Sequence, residues 1–74
     1  MKDYHVNVFY NDEDGGYIAD IPDLQFCSAF GETPFEALEE VEKAKEAWIK
    51  SARKLRKPIP KPNYRPVIYQ LASA

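Results

Sequence analysis

Apolar and polar residues alternate from residue 4 to residue 10, as a half-buried strand requires. Tyr4, Val6, Val8 and Tyr10 fall on one side, His5, Asn7 and Phe9 on the other. The polar run Asn11-Asp12-Glu13-Asp14-Gly15-Gly16 then predicts a reversal, its glycines suited to the positive φ of a tight turn. A second strand is expected over 17–21. Pro22 has no amide hydrogen to give a ladder and Asp23 favours a turn, so pairing stops there. A short third strand fits 25–30. After Gly31 the period lengthens from two to 3.6. Thr33 stands as N-cap, Pro34 as first helical residue and Glu36 as the capping-box acid. Leu38, Val41, Ala44, Trp48, Ala52 and Leu55 recur as one apolar stripe with Phe35 at its edge, predicting a helix over 34–56. Pro58, Pro60 and Pro62 forbid continuation and make a stiff connector. Alternation resumes over 65–71, with Val67, Tyr69 and Leu71 on one face of a last strand. The expected architecture is α+β, in the order β-β-β-α-β, as a single domain spanning residues 1–74.

One helix covers only one face of such a sheet. Phe9, Ile18 and Ile68 fall opposite the larger apolar sets, so the uncovered face carries apolar residues and is a candidate contact surface. For contact with a partner the sequence offers Phe9, Tyr17, Ile18, Phe26 and Phe30; ordinary core packing is the alternative for each. Trp48 and Leu38 are expected in the core. Lys45 falls inside the apolar stripe, so its ammonium group must reach out to water. Glu39 with Lys43 and Glu46 with Lys50 have the spacing of helical ion pairs.

The chain has 74 residues. A domain this small buries only roughly 60% of its unfolded surface, and small domains without covalent staples often gain stability by association, so a homodimer or homotetramer is expected. Cys27 is the single cysteine, which excludes an internal disulfide, and no Cys/His pair has zinc-site spacing. The first residues lack the apolar run of a signal peptide, and no stretch approaches the roughly 18 apolar residues of a membrane span. A cytoplasmic protein without membrane association is the expectation.

Charge is divided along the chain. Residues 1–49 hold twelve acids and three lysines, a net of −9, whereas residues 50–74 hold seven basic residues and no acid. Acids early and bases late in the helix complement its macrodipole. The same division also fits a basic patch that meets an acidic partner, RNA, or the acidic half of a sister subunit. A pI of about 5.3 argues against nucleic-acid binding as the main role.

Catalytic chemistry finds little support. Asp12, Glu13, Asp14, Asp20 and Asp23 cluster around the first turn, but three consecutive turn residues do not converge on one metal, and calcium-loop spacing is absent. His5, the only histidine, has no nucleophile motif to serve. Gly15-Gly16 lacks the spacing and the Lys-Ser/Thr of a phosphate loop. The expectation is a protein that is not an enzyme and needs no cofactor.

The segments Asp14-Gly15-Gly16-Tyr17, Pro22-Asp23-Leu24, Cys27, Gly31-Glu32-Thr33, Glu36-Ala37-Leu38 and Ile59-Pro60-Lys61-Pro62 occur in this order over almost the whole chain. The set resembles the N-terminal-type domain of the HicB antitoxin family. That resemblance implies a partial ribonuclease-H-like fold: a three-strand antiparallel meander, a helix, and a fourth strand beside the first. It also implies binding to a small HicA-like toxin ribonuclease, inhibited by masking of its active surface. The alternative is an orphan oligomeric domain with no toxin and a ligand- or protein-binding role. Two departures stand out. Gln25-Phe26 replaces the family's usual Pro-Gly before the cysteine, leaving Phe26 as either a core anchor or an exposed contact. The sequence also ends without the DNA-binding segment of many such antitoxins, so no direct DNA binding is expected.

Overall fold

The computed structural model describes residues 3–66. Strands β1 (Asn7–Asn11), β2 (Gly16–Asp20) and β3 (Ser28–Gly31) precede helix α1 (Pro34–Lys54). The strands form an antiparallel meander in the order β1-β2-β3. The expected α+β character and the first four elements are present. A fourth strand over 65–71, with Val67, Ile68, Tyr69 and Leu71, lies outside the described residues apart from Arg65 and Pro66, which belong to no strand.

The first hairpin turns on Gly15, whose φ is +67° and whose amide donates to the Asn11 carbonyl at 3.0 Å. The Asn11 side chain also accepts from the Glu13 amide at 3.0 Å, an Asx turn that sets the bend. Gly16 does a different job. It lies in β2, buried, where a methyl group would come within 2.5 Å of the Phe30 ring. β1 begins at Asn7 rather than at residue 4, because its pairing partner ends at Asp20, just ahead of Pro22.

Residues 21–27 form a compact loop. The Ile21 amide donates to the Cys27 carbonyl, Leu24 to Ile21, and Cys27 to Leu24, at 3.0–3.1 Å. These bonds absorb residues 25–27, which is why β3 is shorter than the sequence pattern suggests.

At the helix start, Thr33 Oγ1 accepts from the Glu36 amide at 3.1 Å, and the Glu36 carboxylate accepts from the Glu32 amide at 2.8 Å. The cap is as expected; the return bond reaches one residue further back. At the other end, the Arg56 amide donates to the Arg53 carbonyl and Lys57 to Ala52, with Arg56 at φ 55°. This is a Schellman closure, with an arginine where glycine is usual.

The core is Ala19, Ile21, Leu24, Cys27, Ala37 and Val41, with Tyr4, Val6, Tyr17, Ala29, Ala44 and Trp48 packed against it. Leu38 is not a core residue; it is 40% exposed, and Ala37 takes the inward position. The cause is close contact at Gly31, which leaves room only for a small residue facing β3. Trp48 is half-buried, and its indole Nε1 donates to the Gln25 carbonyl at 2.9 Å. Lys45 does not send its charge to water. Its side chain is only 14% exposed, and its ammonium group meets Asp3 at 3.2 Å and Glu42 at 2.9 Å. Lys43 pairs with Glu40 at 3.3 Å rather than with Glu39.

The proline segment folds back onto the domain instead of extending from it. Tyr4 Oη donates to the Pro60 carbonyl, and the Asp23 carboxylate accepts from the amides of Asn63 and Tyr64 at 3.1 Å. Tyr64 then lies against His5, ring centres 4.8 Å apart. Among the described residues, no helix is long and apolar enough to cross a membrane.

Candidate functional site: an open sheet face

Strand register decides which candidate side chains meet. Phe9 pairs with Ile18 and Ile18 with Phe30, so the three form one row across the sheet. The row is turned away from α1, because Ala19 and Ile21, which alternate with Ile18 along the chain, lie in the core beneath the helix. Phe9 is 49% and Phe30 43% exposed, with Ile18 half-buried between them. No described residue covers the face as α1 covers the other. Phe30 is fixed over Gly16, so the row is a preformed apolar ridge.

One polar row borders it. Asn7 pairs with Asp20 and Asp20 with Ser28 on the same face. His5 lies beyond Asn7, its Nε2 2.7 Å from Asn7 Oδ1. The sequence reading missed this border because it depends on register across three strands, although the alternation of β1 already placed His5, Asn7 and Phe9 together. An apolar centre with a polar, hydrogen-bonding rim is the usual layout of a protein-binding patch.

The remaining candidates lie elsewhere. Tyr17 points to the helix side, packs against the core and meets Tyr10 edge-on at 5.3 Å. Adjacent residues of one strand face opposite ways, so Tyr17 cannot share a surface with Ile18. Phe26 is 93% exposed in the 21–27 loop and does not anchor the core. Its φ of 61° is the left-handed conformation that glycine adopts freely, so the loop keeps a glycine-like path and turns the ring to solvent.

The acids are dispersed. Asp12, Glu13 and Asp14 are exposed in the hairpin turn, Asp20 lies on the open face and Asp23 is engaged by backbone amides. Among the described residues, no group of three or more His, Cys, Asp or Glu side chains could hold a metal ion. Burial pushes the Cys27 thiol above its usual range, with Asp20 adding to the effect, so the sulfur stays protonated and poorly nucleophilic.

The described residues form a small α+β fold of three antiparallel strands and one helix, with the helix on one face of the sheet. The chain is 38% identical to a UPF0150 protein of Thermoplasma acidophilum over 56 residues, covering 76% of this chain and 81% of that protein. It is 40% identical to a UPF0150 protein of Synechocystis sp. over 53 residues, 72% of this chain and 73% of that protein. The chain belongs to the UPF0150 family. No protein-family model matches it, and no solved structure does.

Proposed function

We propose that the chain is a protein-binding module of the HicB antitoxin type, which masks the active surface of a small HicA-like toxin ribonuclease with its open sheet face. The observation that carries this reading is the row Phe9–Ile18–Phe30, apolar and in register on the face away from α1. The ordered motifs that resemble HicB supply the class of partner. Aromatic residues at the centre of a patch are the residues that dominate binding when they fill pockets. Asp20, in the polar row beside the apolar one, puts a negative charge on the open face that suits a basic, RNA-binding partner.

The test is inhibition. A HicA-like protein from the same genome is mixed with increasing amounts of this chain, and cleavage of a labelled RNA is followed. Cleavage is expected to stop near equal stoichiometry. Full cleavage at saturating amounts of the chain overturns the masking reading, and leaves the orphan oligomeric domain as its successor.

A further inference from the structure

The described residues also form an apolar concavity, between the later half of α1, the 21–27 loop and the proline segment. It is lined by Ala44, Ala47, Ala52, Trp48, Phe26 and Leu55. Its volume of about 1020 Å³ matches the upper end of the roughly 300–1,000 Å³ typical of ligand clefts, so a large side chain can enter.

Two features set this groove apart. Phe26 holds a left-handed backbone, which is costly for a bulky residue, while its ring stays in solvent and gains nothing from burial. The loop that imposes this geometry is pinned by the Trp48–Gln25 and Cys27–Leu24 hydrogen bonds. The groove is also flanked by positive charge. Lys57 lines it, Lys54 and Arg56 stand on either side of Leu55, and none of the three is in an ion pair among the described residues.

A surface complementary to it occurs on the same chain. Phe35, 79% exposed, projects from the first turn of α1, next to Glu36 in the chain and one helical turn before Glu39. Phe35 and Leu55 are separated by most of the helix, about 30 Å at 1.5 Å per residue, so a chain cannot place its own Phe35 in its own groove. We propose that the groove receives the Phe35 end of α1 from a second copy of this chain. The ring sits beside Phe26, Trp48 and Leu55, and Glu36 and Glu39 face Lys54, Arg56 and Lys57. Because the two surfaces differ, the association is head to tail, closing into a ring or growing by addition. It uses neither Phe9, Ile18 nor Phe30 and is independent of the role of the open face.

The test is sedimentation of the full-length chain at low and high salt, with Phe26→Gly and Phe35→Ser. Phe26→Gly removes the ring while relieving its backbone, so it is expected to fold at least as well as the parent. Each substitution is expected to weaken self-association by about thirtyfold or more, the size of a hot-spot loss. High salt is expected to weaken the parent's association through screening. A mixture of the two variants restores a one-to-one pair, since one retains the groove and the other the Phe35 end. A parent that stays monomeric at roughly 1 mM, leaving the groove to an acidic segment of some other protein, overturns the proposal. So does an oligomer whose mass neither substitution changes.

Discussion

A methyl group on Gly31 would lie 2.2 Å from the backbone nitrogen of Ala37. β3 and the first turn of α1 therefore meet backbone to backbone, with no side chain between them, and this contact sets where the helix crosses the sheet. Gly31→Ala is expected to cost about 3 kcal/mol, the upper range for overpacking, because the opposing atoms are main chain and cannot rotate away. Gly31→Val is expected to abolish the folded state. A thermal melt reads both; at about 4–8 °C per kcal/mol the alanine variant is displaced well beyond error. An unchanged melt combined with lost binding would contradict the role assigned to Gly31.

Trp48 ties α1 to the 21–27 loop through its ring and through the bond to Gln25. Trp48→Ala is expected to cost about 3 kcal/mol, the low end for a tryptophan truncation, since the ring is only half-buried. Trp48→Phe keeps much of the packing and loses the hydrogen bond, for a cost of about 1 kcal/mol. Chemical denaturation followed by circular dichroism separates the two. Equal losses would show that packing and hydrogen bond are not divided as described.

Lys45 and Asp3 give stability two pH limbs. Asp3 is held below the ordinary aspartate range, first by the Tyr4 amide and then by Lys45. Its contribution is present above the unfolded value and is lost as pH falls below about 4. Lys45 is held above the ordinary lysine range, chiefly by Glu42 and also by Asp3. Its contribution is present below the unfolded value and is lost as pH rises past about 10.5. Asp3→Asn is expected to flatten the acid limb; Lys45→Met is expected to remove the alkaline limb and to reduce the acid one, since the Tyr4 amide still holds Asp3, in melts taken across pH. Acid limbs identical to the parent in both variants would exclude the pair.

The Asp23 carboxylate holds the returning proline segment by the amides of Asn63 and Tyr64. Asp23→Ala is expected to cost about 1.5 kcal/mol, as for the loss of hydrogen bonds to a half-exposed charged group. Hydrogen exchange at those two amides is expected to accelerate sharply while exchange in β2 changes little. Unaltered protection at Asn63 and Tyr64 would place the anchor elsewhere.

What could be read from the sequence was local. Thr33, Pro34 and Glu36 announce the helix within four residues, and Gly15 announces the hairpin. The alternation of β1 already separated Phe9 from Val8 and Tyr10. The misplacements arose where distant chain segments decide the outcome. Leu38 looked like core until Gly31 brought the helix too close for anything larger than Ala37. Lys45 was expected to reach water because its partner Asp3 is 42 residues away. Asp23 looked like a simple turn residue because the amides it binds lie 40 and 41 residues further on. Phe26 left two readings open, and only its positive φ, a property of the whole loop, assigned the ring to solvent. For Tyr17 the packing against the core is the alternative the sequence already offers, since period-two alternation alone separates it from Ile18.

The proposed masking role depends most on the open sheet face, and Ile18 lies at the centre of its apolar row. Calorimetric titration of a HicA-like protein from the same genome with the parent chain, Phe9→Lys and Ile18→Lys measures that claim directly. Circular dichroism establishes that each variant is folded. Each lysine is expected to weaken binding by at least about thirtyfold, the scale of a central hot spot. Folded variants that bind as tightly as the parent would contradict the assignment of this face to the partner.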